Sequence, residues 1–124
     1  HDGRRTFVTG LVDDLRPHMA EATVNICPMR SGSGMKNKIS EALAMERAVV
    51  ATSMACDGIA VEHGKHLLMA DTPQTFAESI VRLVRDPALR AAMGKQGRAL
   101  ILEKYSWSRV ASLFGDVYEA VVPS

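Results

Sequence analysis

Two glycines, two lysines and one acid crowd into Pro28-Met29-Arg30-Ser31-Gly32-Ser33-Gly34-Met35-Lys36-Asn37-Lys38-Ile39-Ser40-Glu41. An apolar run ends at Pro28, and helical spacing of apolar residues follows. The stretch therefore reads as a strand end, a Gly-rich turn and the first turns of a helix. Free backbone N–H groups at a helix start attract anions, phosphate among them. Glycines let such an anion approach the main chain, and Lys36 and Lys38 add positive charge. With Met35 and Ile39 facing the sheet, Glu41 lies about 200° round from Ile39, on the flank of Gly34. Its side chain leans back toward the helix start by roughly one turn, about 5 Å. A carboxylate only accepts, so it takes two hydrogen bonds from a vicinal diol. Parts in this order suit a diphosphate followed by a sugar ring.

Plainer readings stand beside this one. Glu41 can pair with Lys38 on a solvated face, worth about 0.2–0.5 kcal/mol. Lys36 and Lys38 can be solubilising charges, and Gly32-Ser33-Gly34 a flexible loop. The run is not a dinucleotide fingerprint, because Asn37 stands where the third glycine belongs, and its glycines are too close for a P-loop. Ser31 and Ser33 have no paired histidine to activate them. His18, His63 and His66 have no carboxylate or cysteine at ligand spacing and read as surface or loop residues. Asp13-Asp14 could be a metal-binding pair, but a helix cap plus a solvated acid explains it as well. Core packing is the expected role of Trp107 and Tyr118.

The positioning elements alternate. Residues 6–9, 23–27, 48–52 and 66–70 read as strands, and 48–52 is apolar throughout, as in a strand buried on both faces. A helix through about residue 22, capped at Asp13-Asp14, carries Leu15, Met19 and Ala22 on one face. A second, over 35–45, carries Met35, Ile39, Ala42 and Leu43. Thr72-Pro73 and Asp86-Pro87 are two cap-plus-proline helix starts. Phe76, Ile80, Leu83 and Val84 stripe the first of these helices; Leu89, Met93, Leu100 and Ile101 stripe the second. Ser106 caps a last helix with Val110, Leu113, Phe114, Val117, Tyr118 and Val121 inward. The pattern predicts an α/β fold, a parallel sheet of about four strands with flanking helices. Residues 6–9 begin close to the start, and a parallel strand needs a neighbour from elsewhere. An edge left open there invites a second chain, so self-association is expected.

Composition narrows the function classes. The 124 residues suggest one compact domain, and 47% hydrophobic content allows a core. Lys plus Arg number 15 against 14 Asp plus Glu, a balance that argues against bulk binding of nucleic acid or anionic lipid. Only 5% of residues are aromatic, which weakens any base-stacking surface. No apolar run reaches about 18 residues, so no membrane span is expected. The polar start His1-Asp2-Gly3-Arg4-Arg5 is not a signal peptide. Cys27 and Cys56 are too few and too far apart for a metal site or disulfide framework, and read as buried free thiols in a reducing compartment.

These residues resemble the family-4 glycosyltransferases, a retaining group with two Rossmann-like domains in the GT-B architecture. Nearly the whole chain takes part. Phe7-Val8-Thr9-Gly10-Leu11-Val12-Asp13-Asp14 is similar to the family's strand and base-contacting loop, and Ala22 to Pro28 to its next strand. Gly32 to Met45 is similar to a subgroup with Gly-Ser-Gly-Met-Lys-Asn-Lys before Glu-Ala. Val49 to Thr52, Asp57-Gly58, Arg82-Leu83 to Asp86-Pro87, and Tyr105-Ser106-Trp107 continue the likeness in order. The resemblance implies a nucleotide-sugar donor site. Gly32, Ser33, Gly34, Met35, Lys36 and Lys38 would hold the diphosphate and sugar. Glu41, the second acid of a Glu-x7-Glu motif, would hold the ribose, and Gly10, Val12 and Asp13 would lie against the base. No catalytic residue, metal or cofactor is implied within the chain.

Departures shape the expectation. Ser33 stands where the motif's first acid belongs, and Glu46-Arg47-Ala48 replaces the usual Gly-x-Pro, so a strained or shifted helix end is expected. The family's Arg/Lys diphosphate pair and its N-terminal acceptor domain lie on segments outside these residues. Residues 1–124 then correspond to a partial C-terminal donor domain, inactive alone and with weak or undetectable nucleotide binding. The resemblance places it in the cytoplasm, peripheral at the inner membrane through the missing domain, in cell-surface or exopolysaccharide synthesis. Two other readings stay open: a GT-B nucleotide-sugar epimerase, which wants acids and histidines in the cleft, and a non-enzymatic α/β module such as a phospho-receiver, which wants an Asp at the end of the second strand.

Overall fold

The apolar run from Ala48 becomes the middle of a parallel sheet. A computed structural model describes residues 5–32 and 37–105, with Ser108, Ala111, Ser112 and Gly115. Strands β1 (Asn25–Cys27), β2 (Val49–Ala51) and β3 (Leu68–Met69) pair in parallel in the order β1-β2-β3. Ile26 lies opposite Val50, and Ala51 opposite Met69. All three β2 residues are buried, as a strand covered on both faces requires. The helices are α1 (Arg16–Glu21), α2 (Asn37–Ala44), α3 (Pro73–Arg85) and α4 (Pro87–Lys104).

The sheet is α/β and parallel as expected, with three strands. Residues 6–9 join no ladder among the described residues. In a doubly wound sheet of order 3-2-1-4-5-6, the third strand lies at the edge opposite the fourth and pairs with the second. The three described strands run in sequence order β1-β2-β3, as strands 4-5-6 do in that sheet. Helix α1 also starts later than expected, with Leu15 at its cap and no side-chain cap bond. Asp14 instead accepts the backbone N–H of Arg16 at 3.0 Å and pairs with its guanidinium at 2.9 Å.

Each sheet face has its own core. On one, Ile39 and Leu43 of α2 pack with Met19, Val49, Ala51, Leu67 and Ile101. On the other, Val50 and Leu68 pack with Leu83 and Met93, flanked by Phe76, Ile80 and Leu89. Val84, expected inward, is exposed, because the α3 stripe centres on Leu83. Of the expected helix after Ser106, the described residues Ser108, Ala111, Ser112 and Gly115 are helical and exposed, while Ser106, Trp107, Tyr118 and the other residues expected inward lie outside the described residues.

Local signals set the helix ends. Thr72 accepts the N–H of Thr75 at 3.1 Å while Thr75 accepts the N–H of Thr72 at 3.3 Å, a reciprocal cap on α3. Asp86 caps α4 by accepting the N–H of Leu89 at 3.0 Å. Arg90 closes α3 by donating to the carbonyls of Leu83 and Val84, each at 2.8 Å. Arg98 of α4 donates to the Ala44 carbonyl at the end of α2. Just beyond, Glu46 sits at φ 59°, the left-handed position that glycine fills at many helix ends. The predicted strain is present there. Gly94 of α4 approaches so closely that a β-carbon on it would stand 2.3 Å from the Glu46 carbonyl oxygen.

Cys27 and Cys56 are free and buried, as expected. Burial, and next the neighbouring Cys27, pushes the Cys56 thiol up to about 11. His18 and His63 are exposed, whereas His66, a loop residue as read, is buried in the turn before β3. Its Nδ1 accepts the Glu62 N–H at 2.9 Å, and the Nδ1 of His63 accepts the Met69 N–H at 2.8 Å. Both imidazoles thus serve the loop that feeds β3, a use that spacing to metal-ligating residues could not reveal.

Candidate functional site

In an open parallel sheet, ligands gather at the carboxyl ends of the strands. Here those ends lead into Pro28, Thr52 and Ala70. Side chains lace the three loops together. The Thr52 hydroxyl donates to the Met29 carbonyl at 2.6 Å and accepts the Ala55 N–H at 3.2 Å. Ser53 donates its backbone N–H to Asp71 Oδ1 at 2.9 Å, and its hydroxyl also meets the Asp71 carboxylate. The segment leaving β1 is therefore fixed against β2 before it turns toward α2.

Gly32 makes that turn at φ 126°, a conformation open to glycine and costly for other residues. Ser33, Gly34, Met35 and Lys36 lie outside the described residues. Lys38 and Glu41 are exposed on α2, while Ile39, Ala42 and Leu43 of the same helix are buried. Among the described residues the ion pairs are Arg16–Asp14 and Arg98–Glu46, so Lys38 and Glu41 do not form the pair of the plainer reading. Gly10 and Asp13 are exposed and Val12 is half-buried, in the segment that leads into α1.

Electrostatics link the two segments. Hydrogen bonds from Arg16 hold the exposed Asp14 carboxyl below its usual range. The Arg16 guanidinium is held above its usual value by Asp14 first, with a smaller contribution from Glu41. The start of α1 therefore lies within electrostatic reach of Glu41.

Two cavities flank the sheet. One of about 260 Å³ opens at the strand ends, walled by Pro28, Arg30, Thr52, Asp71, Phe76 and Ile80. The other, of about 200 Å³, lies between α1, α2 and β1, lined by Leu15, His18, Met19, Ile26, Lys38 and Ile39 among others. Arg30 and Thr52 were not singled out from sequence. The signal available was positional: each follows closely on an apolar strand. Among the described residues no cluster of His, Cys, Asp and Glu could hold a metal ion, and no helix is long and apolar enough to cross a membrane.

Comparison with known proteins agrees with this geometry. A family model described as "Glycosyl transferases group 1" matches residues 1–86. A phosphatidyl-myo-inositol mannosyltransferase of Mycobacterium leprae is 32% identical over 119 residues, covering 93% of this chain and 32% of that protein. The fold matches sucrose-phosphate synthase from Thermosynechococcus elongatus with a TM-score of 0.75 at 23% identity, over 86% of this chain and 27% of that one. It also matches the C-terminal domain of a glycosyl transferase group 1 family protein from Francisella tularensis, with a TM-score of 0.68 at 20% identity, over 82% of this chain and 52% of that one. The chain spans about a third of the length of the curated relatives it matches across most of its residues. A family match over residues 1–86, most of the sequence, makes this chain a member of the group 1 glycosyl transferases.

Proposed function

We propose that the chain is the donor-binding portion of a retaining glycosyltransferase, which moves a sugar from a nucleotide-sugar to an acceptor in cell-surface or exopolysaccharide synthesis. The carrying observation is Glu41, solvent-facing on α2 beyond a strand-end glycine turn, with the start of α1 nearby. In this reading Gly32, Ser33, Gly34 and Met35 present backbone amides to the diphosphate and sugar, and Lys36 and Lys38 offset its charge. Glu41 accepts from the ribose hydroxyls, and Gly10, Val12 and Asp13 meet the base. Ser33 supplies a hydroxyl where the family motif has an acid, so the transferred sugar is held with one carboxylate fewer.

No side chain of this portion is given a bond-making role. The acceptor and the rest of the diphosphate clamp come from an acceptor domain and upstream segments, in an enzyme peripheral to the inner membrane on its cytoplasmic side. These residues alone are therefore inactive, and none of several nucleotide sugars at about 5 mM is turned over. Against an epimerase stands the position of His63 and His66, which precede β3 at the sheet end away from the site. Against a phospho-receiver stands the end of β1, Cys27 followed by Pro28, where an acceptor Asp would be needed.

The test is an NMR titration with UDP and GDP to about 10 mM, the weak regime near −3 kcal/mol. Resonances of Glu41 and Lys38 should move, and Glu41→Gln should weaken the response about tenfold, the cost of hydrogen bonds to a charged group. Shifts that bypass Glu41, or that persist unchanged in the variant, would remove the ribose role.

A further inference from the structure

The cavity at the strand ends lies on the flank of α3, whereas the glycine turn leads to α2 on the other face of the sheet. Its walls are apolar where α3 lines it, with Phe76 and Ile80 half-buried and the small Ala77 at its exposed side. Its floor holds the buried Thr52, whose hydroxyl is already committed to Met29 and Ala55. The Asp71 carboxylate on its rim is likewise committed, to Ser53. Arg30 is exposed on the same rim and is the arginine that lines this cavity. Arg16 and Arg98 have carboxylate partners and Arg47 and Arg90 donate to backbone carbonyls, while Arg82 and Arg85, also without a partner among the described residues, lie on α3 away from this cavity. Among the described residues no ion pair or hydrogen bond takes up the guanidinium of Arg30.

A pocket with an apolar wall and one uncommitted cation selects its ligand by charge and shape. Ligand pockets start at about 300 Å³, and the 260 Å³ here suits one ring with a small substituent. A planar guanidinium binds carboxylate or phosphate through paired donors. We infer that this cavity is a second small-molecule site, separate from the glycine turn. It takes a ligand whose flat apolar ring lies against Phe76 and Ile80 and whose single anionic group meets Arg30. The inference goes beyond the donor reading and stands without it, since none of these residues belongs to the donor set.

The probe is 4-nitrophenyl phosphate, titrated into the isotope-labelled 124-residue chain, with inorganic phosphate in parallel. The amides of Thr52, Phe76 and Ala77 should shift with the aryl phosphate at up to about 10 mM. Inorganic phosphate should leave Phe76 and Ala77 unmoved. Arg30→Gln should weaken aryl phosphate binding about tenfold, and Ala77→Trp, which fills the cavity from its exposed side, should abolish it. Both substitutions fall at exposed positions, and unchanged spectra elsewhere report an intact fold. Three results would overturn the site: no shift at these residues, an equal response in Arg30→Gln, or equal shifts from phosphate alone. UDP shifts at Glu41 are read separately, so either site can fail while the other stands.

Discussion

Glu46 shows how one residue marks the end of the element that carries the site. It holds φ 59° without being glycine, a conformation that costs an ordinary residue about 1–2 kcal/mol. Its carboxylate lies 3.7 Å from the Arg98 guanidinium, but both side chains are about half exposed, so that contact returns little. Glu46→Gly should therefore stabilise the fold by about 1 kcal/mol, after glycine's larger loss of backbone entropy is set against the relieved strain. Urea denaturation checks this, and a midpoint unchanged or lowered would show that the left-handed turn is not strained. The strain was legible because the sequence puts an acid where the family carries glycine. Arg30 and Thr52 were not legible, since their placement depends on where three strands end in space. Glu41 was legible as a solvent-facing acid, because helical periodicity fixes its face once Ile39 and Leu43 are assigned to the core.

At the scale of elements, the most local signals gave the firmest reading. The cap-plus-proline pairs Thr72-Pro73 and Asp86-Pro87 open α3 and α4 where expected, because each cap needs atoms only three residues away. Residues 6–9 form no strand among the described residues, and strand pairing, unlike a cap, depends on residues far apart in the sequence. The β3 loop is likewise beyond sequence reasoning, and it carries a pH dependence. The His66 imidazole is buried and accepts the Glu62 N–H. Burial first, then the charges of Lys65 and Lys104, lower its pKa below 6.5, and Glu62 opposes them. As pH falls below that value the unfolded chain binds the proton first, so His66 contributes stability that is full above it and lost toward the lower folded pKa. Thermal melts between about pH 7 and pH 5 should show a steeper loss for the native chain than for His66→Gln, which keeps an acceptor but takes up no proton. Parallel curves would show that the imidazole stays neutral or that its partner bond is immaterial.

At the scale of the whole molecule, the sheet ends at β1 among the described residues, and apolar side chains lie exposed there and in the segment before α1. Ile26 is 52% exposed and Leu11 fully so, with Leu15 beside the cavity under α1. An edge strand flanked by exposed apolar groups favours a second copy of the chain. The expected outcome at about tens of micromolar is a dimer or larger species in light scattering, within the range of modest interfaces. A monomeric mass there would count against it, and Ile26→Lys should shift the balance toward monomer by placing charge on the edge. The expectation placed self-association at residues 6–9; β1 is the proposed location instead, because of the two only β1 forms a strand among the described residues.

The contact between Gly94 and the Glu46 carbonyl reaches further than its size suggests. The family model matches residues 1–86, while the brace that keeps α2 seated belongs to the helix after them. Trimming the protein after residue 86 would keep Gly32, Lys38 and Glu41 yet leave α2 unmoored, and a methyl group at position 94 would wedge the two helices apart from within.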